Sequence, residues 1–247
     1  MAPERRPQRH PPALIPASRL AAPGLPDPRR PLRSPLGGAV VAAYRAGTLV
    51  AGSLPSPVGR RAGEGGGRVA SHLPPLRGRR RVVEDNLRRV CGGELGGRRL
   101  HRLVDEAFAS YGRYWSESLR LPSVTDAVVD AGMAFDGLEI LDGALSGGRG
   151  AILALPHLGG WEWAGRWLAV TDRPVAVVVE ELRPARLFEW FLSYRRHLGM
   201  EVIPVGPAAG PAALEALREG RVLCLLCDRV VGGGSGVTVP MFGREVV

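Results

Sequence analysis

The hydrophobic rhythm of the chain changes near Pro122. Before it, apolar residues recur at helical spacing, and after it short apolar runs alternate with amphipathic stretches. Leu36 to Leu54, LGGAVVAAYRAGTLVAGSL, is the longest stretch that is nearly all apolar or small. A membrane span needs about 20 mainly apolar residues. This run is short, rich in Gly and Ala, and carries Arg45 near its middle, so it predicts an interfacial or core helix. Ser53 to Arg81 is rich in Gly, Pro and Arg, which predicts a loop with a short helix around Val69 to Leu73. Arg79 to Val90 then spaces Val82, Val83, Leu87 and Val90 on one helical face, and Arg98 to Arg120 carries a broad face from Leu100 to Trp115. Aromatic residues on such a face are more often core than substrate cleft.

From Leu138 onward the pattern predicts helix Leu138 to Leu145, strand Ala151 to Leu155, helix Trp161 to Val170, strand Val175 to Val179 and helix Pro184 to Leu198. Strand Glu201 to Pro204, helix Ala212 to Glu219 and strand Val222 to Leu226 follow. Strands alternating with helices of this length imply βαβ units. The expected fold class is α/β, a mainly parallel central sheet flanked by helices, with a helical N-terminal part over 36–120 and the α/β part over 121–247. The first 35 residues hold ten of the 22 prolines; such a segment cannot hold a helix, which predicts a disordered Pro/Arg-rich tail. It also lacks the continuous apolar core of a signal peptide.

Composition adds little that is specific. All 33 basic residues are arginine, and the net charge of +9 implies attraction to polyanions, whether nucleic acid or anionic headgroups. The densest Arg runs, Arg79 to Arg81 and Arg98-Arg99, are not interleaved with aromatics as a nucleic-acid surface would be. A non-enzymatic basic binder of nucleic acid or anionic membrane is the competing class. Cys91, Cys224 and Cys227 include one C-x-x-C pair with no second ligand pair at finger-like spacing, so buried small hydrophobes in a reducing compartment are expected and no metal site.

The chemistry gathers where predicted strands end. AILAL runs into Pro156-His157 and the pair Gly159-Gly160, VAVVV into Glu180 and Glu181, and LCLLC into Asp228 and Arg229. Ligands of open α/β sheets bind at this strand edge, and a neutral imidazole there can take a proton from a hydroxyl. Glu162 lies five residues past His157, a rotation of about 140° if both were helical. The two can pair only if His157 precedes the helix. The alternative is a strand-end histidine bonded to backbone and an acid that merely favours the helix dipole. No G-x-G-x-x-G opens a helix after the first strand, and VGGGSG at 231–236 precedes a strand-like segment, which makes it a flexible loop over the site.

ALPHLGGWEWAG resembles the His-x-x-x-x-Asp/Glu motif of the bacterial acyltransferases that include the lipid A lauroyl/myristoyl acyltransferases and the actinobacterial phosphatidylinositol mannoside acyltransferases. The second branch fits better, through VVVEELRPARLFEWFLSYRRHLGMEVIPV, LREGRVLCLLCDR and SGVTVPMFGRE in order. The resemblance runs from about Leu36 to the C-terminus. It implies an acyl-CoA-dependent O-acyltransferase with no cofactor, peripheral on the cytoplasmic face of the plasma membrane. Its expected partners are acyl-CoA, a glycolipid acceptor and the anionic membrane surface, with no nucleic acid. His157 is the implied base and Glu162 its partner, with Glu180, Arg183, Arg195, Asp228 and Arg229 implied in substrate binding. A lipid A-type acceptor is the rival within the class. The family's pattern implies carboxylates where this chain has Val230, Thr238 and Pro240, and further strands and helices after residue 247. A shortened or inactive member is therefore a third expectation.

Overall fold

The computed structural model describes residues 35–228 and 237–246. The expected N-terminal tail, Arg229, Val230 and the glycine-rich 231–236 lie outside the described residues. The described chain opens with four helices, α1 (Pro35–Ser53), α2 (Ser56–Ser71), α3 (Arg77–Val90) and α4 (Gly97–Arg120), followed by the short α5 (Asp126–Ala131) and α6 (Leu138–Ser146). The alternating part then runs β1 (Ala151–Leu155), α7 (Trp161–Val170), β2 (Val175–Val179), α8 (Ala185–His197), β3 (Glu201–Pro204), α9 (Ala209–Arg218) and β4 (Val222–Leu226). A short hairpin, β5 (Val239–Met241) and β6 (Arg244–Val246), is antiparallel.

β1 to β4 form one sheet in the order β1-β4-β2-β3 with every pairing parallel. Its two faces follow the period of the strand. Val175, Val177 and Val179 face the main core with Trp167 and Leu168 of α7 and Phe188, Phe191 and Tyr194 of α8. Ala176 and Leu223 face the other way, against Ala212, Ala213 and Ala216 of α9. α1 joins the main core through Val41 and Tyr44, whose ring lies 5.4 Å from Trp115 and 5.3 Å from Phe191, while Leu49 and Val50 face outward. Among the described residues no helix is long and apolar enough to cross a membrane.

The predicted loop over Ser53 to Arg81 is instead mostly helix. Glycine disfavours an isolated helix by about 1 kcal/mol, but here the missing side chains let α2 and α4 pack with their backbones nearly touching. A Cβ on Gly63 would lie 2.6 Å from the Gly112 carbonyl oxygen, and one on Gly67 would collide with the main chain at Phe108. Ser116 of α4 donates to the Gly59 carbonyl at 2.7 Å, and Arg80 of α3 donates to Ser71 at 2.7 Å and to Asp105 at 2.6 Å. Tertiary contact outweighs local preference. The α3 face is narrower than its spacing predicts: Val83 and Leu87 pack on Leu95, Leu100 and Val104, whereas Val82 and Val90 are exposed. Of the cysteines expected to be buried, only Cys224 is; Cys91 ends α3 and Cys227 lies just past β4, both exposed.

Candidate active site

Because the sheet is parallel, β1, β2 and β4 all deliver their C-terminal ends to one edge. β1 pairs with β4 so that Leu155 lies opposite Leu226, and the Cys227 amide donates to the Leu155 carbonyl at 3.0 Å, carrying the ladder past the strand ends. Two residues further along each segment, the same register places His157 opposite Asp228. One oxygen of Asp228 accepts from the His157 main-chain amide at 2.8 Å, and the other is 2.5 Å from His157 Nδ1. An ionised carboxylate can only accept, so Nδ1 carries the ring proton and Nε2 is left as the basic nitrogen. Burial raises the Asp228 carboxyl, but the hydrogen bonds from the His157 ring and amide outweigh it and hold the group below the usual carboxylate range. Both side chains are 37% exposed, so the pair is open to a ligand.

The turn that carries His157 onto this edge is short. Leu158 N–H closes on the Pro156 carbonyl at 2.8 Å, and Gly159 takes φ +67°, a left-handed conformation that glycine adopts without strain. α7 then starts at Trp161 with Gly160 as its cap, which places His157 before the helix, as the spacing required.

Glu162 does not meet the imidazole; this corrects the expected pairing. Its side chain is 3% exposed and turns into the core, where Oε2 accepts from Tyr114 Oη at 2.8 Å and Oε1 lies 3.6 Å from Arg195 Nη2. A first-turn position on α7 points this carboxylate toward α4 and α8, away from the strand edge. Burial pushes the Glu162 carboxyl above the usual range, with Arg195 and the Tyr114 hydroxyl pulling it back. Arg195 is held further by the rings of Trp161 and Phe191, 4.6 and 5.2 Å from its guanidinium carbon. Its buried Nε finds no acceptor among the described residues.

His157, Trp161, Glu180 and Arg195 line one crevice of about 150 Å³ at the strand edge, floored by Leu225 and Leu226. Arg183 lies exposed in the loop after β2 and is not part of that wall, and Arg229 lies outside the described residues. Thr238 and Pro240 are exposed, Pro240 across from Glu245 in the hairpin. Trp161 also walls a second cavity, of about 260 Å³ and almost entirely apolar, between the sheet and α6–α7. Leu153, Leu155, Leu168, Val177 and Cys224 line it. Burial pushes the Cys224 thiol up to about 11, so it serves as neutral wall. Sequence reasoning missed Tyr114 and Trp161. Tyr114 is 48 residues from the acid it bonds, and nothing local links the two. Trp161 adjoins the motif and reads as an ordinary first-turn apolar residue.

A polar crevice with a paired imidazole thus adjoins an apolar cavity across Trp161. Residues 29–247 match the family of bacterial lipid A biosynthesis acyltransferases, and the chain belongs to that family. Over 227 residues it is 37% identical to a Mycobacterium tuberculosis protein named phosphatidylinositol mannoside acyltransferase, spanning 90% of this chain and 70% of the relative. A Mycolicibacterium smegmatis protein of the same name is 36% identical over 221 residues, spanning 86% of this chain and 69% of the relative.

Proposed function

We propose that the chain moves a fatty acyl group from acyl-CoA to a mannose hydroxyl of a phosphatidylinositol mannoside, working peripherally at the cytoplasmic face of the plasma membrane. The observation that carries this reading is the His157–Asp228 pair on a crevice that shares Trp161 with an apolar cavity. The relatives' names supply the acceptor class. The cavity takes the acyl chain, and the crevice takes the thioester and the hydroxyl.

His157 Nε2 removes the hydroxyl proton as the oxygen attacks the thioester carbonyl, and Asp228 holds the ring and stabilises the imidazolium. The tetrahedral oxyanion draws on the amides of Gly159 and Gly160 at the start of α7, or on Arg195 in the crevice wall. As the C–S bond breaks and the ester C–O bond stands, the imidazolium returns its proton to the departing CoA thiolate. No acyl-enzyme is needed. Glu180 faces the same crevice and is assigned to acceptor binding; Glu162 acts one layer back, keeping Arg195 in place. The outward residues of α1, Leu49 and Val50, with Arg60 and Arg61 of α2 nearby in the chain, supply the contact with an anionic bilayer.

Purified protein with palmitoyl-CoA and a phosphatidylinositol mannoside in mixed micelles tests the reading, with ester product and free thiol measured together. Both should form in equal amounts. Transfer only to a lipid A precursor would move the acceptor to the rival branch, and binding of acyl-CoA and vesicles with no product would leave a non-enzymatic binder.

A further inference from the structure

The topology gives the apolar cavity a direction. β1 and β2 point toward the catalytic edge, and α7 runs back from that edge, so Leu155 and Trp161 lie at the crevice end. Val175 opens β2 at the opposite edge, level with Val222 and Ala151, four residues of strand below Leu155. At about 3.3 Å per residue the cavity therefore extends roughly 13 Å from the catalytic edge to the far one. Met200, 2% exposed, immediately precedes β3 at this far edge and lines the cavity there. Its thioether fills the notch left by Gly165, one turn along α7 from Trp161: a Cβ on Gly165 would lie 2.5 Å from Met200 Sδ.

We propose that Met200, seated against Gly165, is the stop that sets the longest acyl chain the cavity accepts. The proposal rests on the reading of this cavity as the acyl-chain site. A chain that just fills the space gains contact along its length, and a longer one must displace the thioether. A shorter one leaves part of the wall without partners. An unbranched methionine suits a stop that is defined yet adjustable by its neighbours.

The test is calorimetric binding of decanoyl-, dodecanoyl-, tetradecanoyl-, hexadecanoyl- and octadecanoyl-CoA to the full chain, which reads the stop without needing turnover. Gly165→Ala puts a methyl 2.5 Å from the sulfur and forces the thioether to shift into the cavity, while alanine favours the helix. The preferred donor should move to the next shorter member, with the Kd ratio between neighbours changing about tenfold. Met200→Ala should move it the other way by a similar factor. Ala164→Phe, which fills the cavity nearer the crevice, should weaken every donor. Folded Gly165→Ala protein with an unchanged or lengthened preference overturns the stop, whether or not Met200→Ala folds, provided Ala164→Phe still weakens binding. If Ala164→Phe leaves all affinities unchanged, the acyl-chain reading of the cavity itself fails and the stop falls with it.

Discussion

Asp228 and Glu162 both bond to residues that line the strand-edge crevice, and their surroundings could hardly differ more. Asp228 is 37% exposed, grips one residue through two bonds, and shares its histidine with solvent. Glu162 is 3% exposed, and the groups that hold it come from α4 and α8. A carboxylate that assists proton transfer must tolerate a partner whose charge comes and goes, which is cheap at a wet edge and costly in a core. A buried ion pair suits the opposite task, because its members are too expensive to separate. Sequence proximity to His157 favours Glu162, but the electrostatic setting favours Asp228 as the group that works with the imidazole.

Four measurements put this contrast to the test. Replacing His157 with Ala should lower transfer by about 10² to 10⁴-fold with the melting curve unchanged; near-normal turnover would remove the imidazole from the chemistry. Glu162→Gln should act chiefly on stability: the amide oxygen can keep the Tyr114 bond, but the amide N–H group then faces the Arg195 guanidinium, donor against donor, at a cost of about 1–3 kcal/mol in denaturant unfolding. If that variant unfolds normally and loses only activity, the assignments of the two acids are reversed. Asp228→Asn should do the converse. Its folding should hold, and kcat should fall by up to about 10⁴-fold, because an amide N–H facing Nδ1 favours the wrong tautomer of the ring.

The smallest effect is in pH dependence, where the two acids should tilt in opposite directions. Asp228 is held below its ordinary value of about 3.9. Its contribution is thus fully present above that value and is lost as the pH falls through the folded pKa. Glu162 is raised above its ordinary value of about 4.3. Its ionisation therefore opposes folding increasingly as the pH rises from there toward the folded pKa. Melting temperature against pH for wild type, Asp228→Asn and Glu162→Gln should show one difference curve of each sign; two of the same sign would refute the contrast.

Periodicity suffices for the four strands of the parallel sheet, though not for α5 or the closing hairpin. The strands Ala151–Leu155, Val175–Val179, Glu201–Pro204 and Val222–Leu226 stand where the short apolar runs place them, since Gly, Pro or a charged residue lies at or within two residues of each end. It failed over α2, where glycine signals flexibility locally and close helix contact globally, and only α4 reveals which applies. The site was half legible for a related reason. His157 and Asp228 could be recognised as strand-end polar groups, but their pairing depends on β4 inserting between β1 and β2, an order that no local pattern encodes. Glu162 turns away from His157 because nearness in the chain says little about direction at the start of a helix, and its partners Tyr114 and Arg195 are 48 and 33 residues away.

The ladder between β1 and β4 has a consequence for how such a chain can change. Leu155 faces Leu226 and His157 faces Asp228, so a single offset of 71 residues governs both the sheet and the proton pair. Inserting one residue between Leu155 and His157 would advance the imidazole by about 3.3 Å and turn it to the other side of the sheet. The same insertion at the exposed Gly92-Gly93, between α3 and α4, would be absorbed by the loop. Variation in length should therefore be tolerated at exposed connections and forbidden in two dipeptides, Pro156-His157 and Cys227-Asp228, which keep the count between the sheet and the proton pair.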